Sequence, residues 1–384
     1  MQEPVAIPLS LYIHFPWCVR KCPYCDFNSH EAKDGIPERQ YIDALLKDLD
    51  QALPSIWGRS IQTIFMGGGT PSLFSPESMD YLLSQLRARL NFASNIEITL
   101  EANPGTAEQE KFSAFYAVGI NRLSIGIQSF DDYQLQKLGR IHNRREAFRA
   151  VEIAHAAGFD NFNLDLMFGL VKQTNEQALA DLQNAIDLEP THISHYQLTI
   201  EPNTFFYHQP PKTPNDDQLF EMQQQCQKLL ADRGYTQYEI SAYAKADRQC
   251  QHNINYWQFG DYLGIGAGAH SKLSQGQPLT IERQWRVKSP QDYLDKISQG
   301  QHISGEQVLK TDDLPLEFMM NALRLVDGFD KTVFTERTGM TLEQIEAPQQ
   351  KAMEAGLIDE DQKRLWPTTR GQQYLNELLQ YFMP

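Results

Sequence analysis

Arg122-Leu123-Ser124-Ile125-Gly126-Ile127-Gln128 alternates apolar and polar side chains one by one. In an extended strand that alternation puts Leu123, Ile125 and Ile127 on one face and Ser124, Gly126 and Gln128 on the other. The same phase recurs elsewhere. Phe162, Leu164 and Leu166 oppose Asn163, Asp165 and Met167; Ile96, Ile98 and Leu100 oppose Glu97, Thr99 and Glu101; Leu11, Ile13 and Phe15 oppose Tyr12 and His14. Residues 61–66 and 193–200 complete six strand candidates. Helical periodicity fills the gaps, at 38–57 with the stripe Tyr41, Ile42, Leu45, Leu46, Leu49 and Leu53, and near 76–90, 107–118, 144–157 and 175–188. Strand–helix repetition predicts right-handed units and a mostly parallel sheet. A doubly wound sheet has helices on both faces and therefore two apolar faces. One polar face instead predicts a partial, TIM-like (βα)6 barrel, with helices outside and a polar lumen that holds a ligand.

The remaining chain reads differently. Glu201 to Asp216 is a Pro-rich connection, followed by a helical stretch near 217–233 and the Gly-rich segment GDYLGIGAGAH at 260–270. From about 310 the chain is mostly helical, with a hairpin signal in AGLIDEDQKRLWPTTRG, as in a small winged-helix module. The expected organisation is a barrel at 1–205, an extension at 206–305 and a helical domain at 306–384. Of 384 residues, 34 are basic and 49 acidic, a net charge of −15 that disfavours nonspecific binding to nucleic acid. No apolar run approaches the ~18 residues of a membrane span. MQEPVAIPLS lacks the basic and apolar regions of a secretion signal, so the cytoplasm is the expected location.

Three of the five cysteines fall within eight residues, Cys18-Val-Arg-Lys-Cys22-Pro-Tyr-Cys25, directly after the first strand. Three thiolates on a short loop can hold three irons of a [4Fe–4S] cube and leave the fourth open. A structural zinc site is the alternative, completed by His14 or His30. The loop's place after a barrel strand favours the cube, because barrel active sites lie at the C-terminal ends of strands. CxxxCxxC resembles the signature of the radical S-adenosylmethionine (SAM) superfamily. That resemblance implies an open iron that chelates the amino and carboxylate groups of SAM, and an electron donor that feeds the cluster.

Strand two ends in Gly67-Gly68-Gly69-Thr70-Pro71, where missing Cβ atoms would let the backbone approach a ligand. GGGTP resembles a stretch of the oxygen-independent coproporphyrinogen III oxidase family. So do LEANPG with Glu101, SIGIQSF with Gln128, KLGRIH with Arg140 and NLDLMFGL with Asp165. The resemblance implies that Tyr12, Gly68, Gly69, Thr70, Glu101, Gln128, Arg140 and Asp165 bind SAM, and that Tyr24 supplies a backbone contact. Tyr12, Glu101, Gln128 and Asp165 also lie on the lumen face given by the alternation.

The oxidases carry CxxxCxxCxC, whereas Phe27 stands two residues past Cys25 here. His252-Asn-Ile-Asn-Tyr256-Trp257, with CPYCDF and GGGTPS, is similar to the HemW branch. That likeness implies a haem-binding chaperone that passes haem to acceptor proteins, with His252 as iron ligand and Tyr256 and Trp257 stacked against a flat ring. His270 is a second candidate ligand. Cys250 offers a thiolate but reads better as a buried bystander, and Cys226 reads as inert. Two alternatives stay open: radical oxidation of coproporphyrinogen, and a zinc-stabilised interaction protein.

Overall fold

The computed structural model describes residues 7–33, 35–106 and 109–383. Six strands, β1 (Leu9–Phe15), β2 (Ser60–Gly68), β3 (Asn91–Ala102), β4 (Arg122–Gln128), β5 (Phe162–Phe168) and β6 (His192–Gln197), pair side by side in chain order, all parallel. The expected α/β barrel unit is therefore present. Its helices are α1 (Glu38–Ile56), α2 (Pro76–Arg89), α3 (Gln109–Ala117), α4 (Arg144–Ala156) and α5 (Asn175–Asp187). Side-chain caps start several of them: Asn143 and Glu146 form a reciprocal capping box on α4, and Thr174 and Gln177 do so on α5.

The apolar faces of the strands and the stripes of the helices merge into one core. Leu123, Ile125 and Ile127 are fully buried, as are Tyr41, Ile42, Leu45 and Leu49 of α1. Burying such side chains contributes roughly 1.5–3 kcal/mol each, which is why the alternation fixes register and sends the polar set inward.

The Gly-rich segment near 260 departs from expectation. Asp261–Ile265 forms a seventh parallel strand, β7, paired with the free edge of β1. Three antiparallel strands follow, β8 (His270–Gln275), β9 (Thr280–Arg286) and β10 (Ile303–Val308). A short antiparallel pair, Thr236–Gln237 and Ala242–Ala244, extends the sheet beyond β6. The result is one open sheet of 12 strands among the described residues. The chain therefore crosses the barrel to add strands at both edges, rather than ending its sheet at β6.

The helix α6 (Asp216–Asp232) falls where periodicity predicts it. Beyond β10 a second apolar cluster gathers Phe318, Phe329, Phe334, Ile345, Leu357 and Leu365. Here helices surround the predicted hairpin, Ile358–Glu360 with Arg364–Pro367, to which Phe329–Asp330 adds a third strand. No helix among the described residues is long and apolar enough to cross a membrane.

Candidate functional site

The cysteine loop leaves the C-terminal end of β1. Trp17–Cys18 pairs with His30–Glu31, and the Cys25 amide donates to the Cys22 carbonyl at 3.1 Å, so the intervening chain folds into a compact bow. Cys18, Cys22 and Cys25 are unpaired and half-buried. They line one cavity of about 430 Å3 together with Gly68, Gly69, Thr70, Glu101, Gln128 and Asp165. That volume is in the range of small-molecule and cofactor sites.

Each sulfur has a polar neighbour. The Thr70 hydroxyl donates to Cys18 Sγ at 3.5 Å, Arg140 Nη1 donates to Cys22 Sγ at 3.7 Å, and the Ser29 hydroxyl lies 3.9 Å from Cys25 Sγ. Burial pushes the Cys18 and Cys25 thiols above their ordinary range, so ionising them calls for a cationic partner such as metal. The histidines that might complete a zinc site are engaged elsewhere. His14 Nε2 donates to the Asn28 carbonyl at 2.8 Å, and His30 Nε2 lies 3.2 Å from Asn28 Oδ1. Among the described residues, no three His, Cys, Asp or Glu groups are disposed to hold a single metal ion. Three thiols on one short loop, with both candidate histidines hydrogen-bonded elsewhere, suit a multi-iron cube better than a lone four-coordinate ion.

Two carboxyls face the same cavity. Glu101, at the end of β3, accepts one hydrogen bond among the described residues, from the Gly68 amide at 3.0 Å. Burial, reinforced by the charge of Asp165, pushes its pKa up to about 8. Asp165 on β5 is likewise raised by burial, and is partly compensated by Asn163 Nδ2 at 2.8 Å and the Ser124 hydroxyl at 3.0 Å. Glu101 in particular is short of donors and positive charge, the complement of an ammonium, a sulfonium or ribose hydroxyls. Gln128 is in left-handed backbone (φ 70°) at a register shift in β4, and its Oε1 accepts from the Tyr196 hydroxyl at 2.7 Å. Such a shift re-aims a side chain at a strand end. Arg140 braces the rim. Its Nη2 donates to the Gly126 carbonyl at 2.7 Å and to Asn103 Oδ1 at 2.5 Å, while Nε is buried without a partner among the described residues.

Of the residues expected to bind the nucleoside, Tyr24, Gly68, Gly69, Thr70, Glu101, Gln128, Arg140 and Asp165 line this cavity. Tyr12 does not. Its hydroxyl donates to His14 Nδ1 at 3.0 Å and its ring stacks on Phe65, with centroids 6.4 Å apart. The glycines also read differently in place. Gly68 has φ +109°, and a Cβ there would strike the His14 ring; a Cβ on Gly69 would meet the Trp17 carbonyl at 2.5 Å. Close packing against the protein's own chain requires both, whatever ligand lies beyond. Asn103 and Tyr196 are among the lining residues that went unnoticed in the sequence. Asn103, two residues past Glu101, donates to Thr70 Oγ1 at 2.7 Å and so links Thr70 to Arg140. Tyr196 holds Gln128. LEANPG and the strand-six pattern contained both, but an amide and a phenol at strand ends carry no signal of their own. Phe27 lines the cavity as well and is 58% exposed.

His252 is elsewhere. It belongs to α7 (Gln251–Trp257), which packs on β1, β2 and β7 and closes the opposite, N-terminal end of the lumen. His252 Nδ1 lies 2.8 Å from Thr63 Oγ1, and burial, with the Arg122 charge, pushes its pKa down to about 3. It is neutral at any ordinary pH. Tyr256 is partly exposed and stands edge-on to Trp257, at 5.0 Å between centroids. His270 is exposed and stacks on Trp285. Cys250 and Cys226 are buried, and burial pushes each thiol up to about 12. The Cys250 thiol donates to Glu97 Oε1 at 3.6 Å. Both behave as inert side chains.

Comparison with known proteins follows the same division. Residues 12–184 match the radical SAM superfamily, and residues 309–374 match the HemN C-terminal domain. Along its length the chain is similar to the protein named Heme chaperone HemW of Haemophilus influenzae, 51% identical with 99% of each chain covered. To the protein of that name from Escherichia coli it is 47% identical, with 98% of each covered. Among solved structures it resembles coproporphyrinogen III oxidase (HemN) of E. coli, with a TM-score of 0.83, 25% identity, and coverage of 99% of this chain and 91% of that one.

Proposed function

Because this chain belongs to the HemW family of radical SAM proteins, we propose that it is a haem chaperone, which binds haem alongside a [4Fe–4S] cluster and SAM and delivers haem to acceptor proteins. The observation that carries the reading is full-length likeness to haem chaperones in a chain that keeps the thiol-lined cavity.

The cavity fits the cluster and the nucleoside on its own chemistry. Among the described residues its three thiols lack disulfide partners, Glu101 has a single donor, and Arg140 Nε is buried and unpaired. Cys18, Cys22 and Cys25 would hold the cluster. Gly68, Gly69, Thr70, Glu101, Gln128, Arg140 and Asp165 would hold SAM, with Tyr24 on the cysteine loop supplying a backbone contact and Tyr12 behind. When bound, the cluster supplies a one-electron reductant and an iron site open to the nucleoside. The chain's own residues orient and desolvate that site: Thr70 and Arg140 donate toward the sulfurs, and Glu101 and Asp165 present negative charge to a cationic ligand. His252 would hold haem iron, since a neutral imidazole is an available ligand.

Acceptor proteins, an electron donor and a cytoplasmic location belong to the same proposal, as does a division near residues 205 and 305. Phe27 in place of a fourth clustered thiol favours the chaperone over a porphyrinogen oxidase. Spectra of the anaerobic full chain test the reading. An iron–sulfur shoulder should be present without haem and lost in Cys18→Ala, and a Soret band should grow when haem is added. His252→Ala should weaken haem binding and spare the cluster; equal haem affinity would refute that ligand. Decarboxylation of coproporphyrinogen under reducing conditions with SAM would instead establish the oxidase.

A further inference from the structure

The cavity that holds the thiols is lined by no residue of α7, and His252 is only 9% exposed. We propose that α7 is a latch that stows His252 in the floor of the barrel, and that haem reaches Nε2 of His252 only when α7 swings out. This rests on the haem-chaperone reading and adds how the cargo gains access.

Contacts from four directions close the latch. Glu97, on the lumen face of β3, accepts the Gln251 amide at Oε2 and the His252 amide at Oε1, both at 3.1 Å. It thereby caps a helix whose own N-cap residue, Cys250, supplies no side-chain cap. Arg122, fully buried behind it, lies 4.0 Å from Glu97 and balances its charge. Asn255 Nδ2 donates to Ser10 Oγ at 2.8 Å and to the Asp261 carbonyl at 2.9 Å. From the second apolar cluster's side, the Arg324 guanidinium lies 4.4 Å over the Trp257 ring.

The fourth direction concerns the imidazole. The Thr63 hydroxyl donates to Ser10 Oγ at 2.8 Å, so it accepts from Nδ1–H of His252, also at 2.8 Å. Nδ1 then carries the proton and Nε2 the lone pair, and Nε2 makes no hydrogen bond among the described residues. Nε2 is the iron-binding atom. The rings of Phe65 and Tyr12 flank the imidazole at 5.1 and 6.5 Å, centroid to centroid, inside the barrel. The ligand atom is chemically ready, but its ring is packed into the barrel floor with little surface outside.

The chain is built to release it. Asp247 on one side of α7 and Phe259 on the other adopt left-handed backbone, φ 59° and 57°. Asp tolerates that region, but a bulky residue such as Phe259 is strained in it. Loop residues that flank a short segment, one of them strained, are positions at which a hinge absorbs rotation.

Hydrogen exchange on the full wild-type chain tests this directly. Without haem, the Gln251 and His252 amides should be protected by Glu97; with haem bound, they should exchange about tenfold faster or more, the loss expected of a charge-assisted bond. Unchanged protection in the haem-bound chain would overturn the latch. Stopped-flow Soret measurements on Glu97→Gln and Asn255→Ala give a second reading, since neither touches the imidazole. Haem association should speed up about tenfold while the iron–sulfur spectrum stays as in wild type; equal or slower association would overturn the proposal. Should Glu97→Gln fail to fold, Asn255→Ala and the wild-type exchange still decide. Undiminished haem affinity in His252→Ala would remove the ligand reading and the latch together, whereas lost affinity with unchanged amide protection removes the latch alone.

Discussion

Replacing Glu101 by Gln should abolish one specific pH dependence. The Glu101 carboxyl, ordinarily at 4.5, is raised to about 8 chiefly by burial and next by Asp165. In the ligand-free chain the folded state therefore keeps a proton that the unfolded state has released. Stability is greatest below the ordinary value and falls as pH climbs toward 8, by about 4 kcal/mol between pH 4.5 and 8, after which this group adds nothing more. A cationic nucleoside set against the carboxylate reverses the preference, because binding selects the ionised form and expels the proton. Affinity should then tighten as pH rises, by about fiftyfold from pH 6 to 8. Titration calorimetry with SAM, at pH 6, 7 and 8 in buffers of different ionisation heat, reads both affinity and proton release. Wild type should release close to one proton more per SAM than Glu101→Gln at pH 6, and the variant should lack the extra fiftyfold. Any proton lost by the nucleoside's own groups is common to the two chains and cancels. Identical pH profiles for the two would refute the placement of positive charge against Glu101.

Gly68→Ala should destabilise the chain by about 3 kcal/mol or more, since the new methyl meets the His14 ring at a φ of +109°; urea denaturation measures it, and a cost under about 1 kcal/mol would show that His14 yields freely. Arg140→Ala removes the bonds to the Gly126 carbonyl, Asn103 and Cys22 and should cost about 3 kcal/mol. In the same variant the iron content after anaerobic reconstitution should fall, because Cys22 loses its only charged donor among the described residues.

The barrel was legible because its information is local. Strand β4 carries its three buried aliphatics on alternate residues, and the helices carry matching stripes and caps, so period and phase alone place them. Strand β7 escaped notice for a physical reason. Only Leu263 and Ile265 carry its apolar alternation, too short a run to stand out in a Gly-rich stretch, and a Cβ on the intervening Gly264 would strike the His270 backbone, so the close approach of β8 is what excludes a side chain there. The sulfur-lined cavity was readable from spacing, whereas Asn103 and Tyr196 act only through partners brought in by the fold. His252 shows the opposite limit. Its motif was visible, but its burial depends on Thr63 and Glu97, 189 and 155 residues away in sequence, and no local pattern encodes such a pairing.

Glu97 and Glu101 sharpen the distinction between a structural and a functional carboxylate. They lie four residues apart on the same face of the same strand, both turned into the lumen, and by pattern they are interchangeable. The fold treats them unequally. Glu97 receives two backbone amides and a thiol and faces a fully buried guanidinium, so its charge is spent inside the protein. Glu101 receives one amide, has Asp165 as its neighbour, and opens onto the cavity. An acid buried with so few donors is unfavourable for the empty protein, and folding tolerates it only where something that arrives later supplies the missing charge. Within one strand, then, the count of donors separates the carboxylate that holds the barrel's floor from the one that awaits a ligand at its mouth.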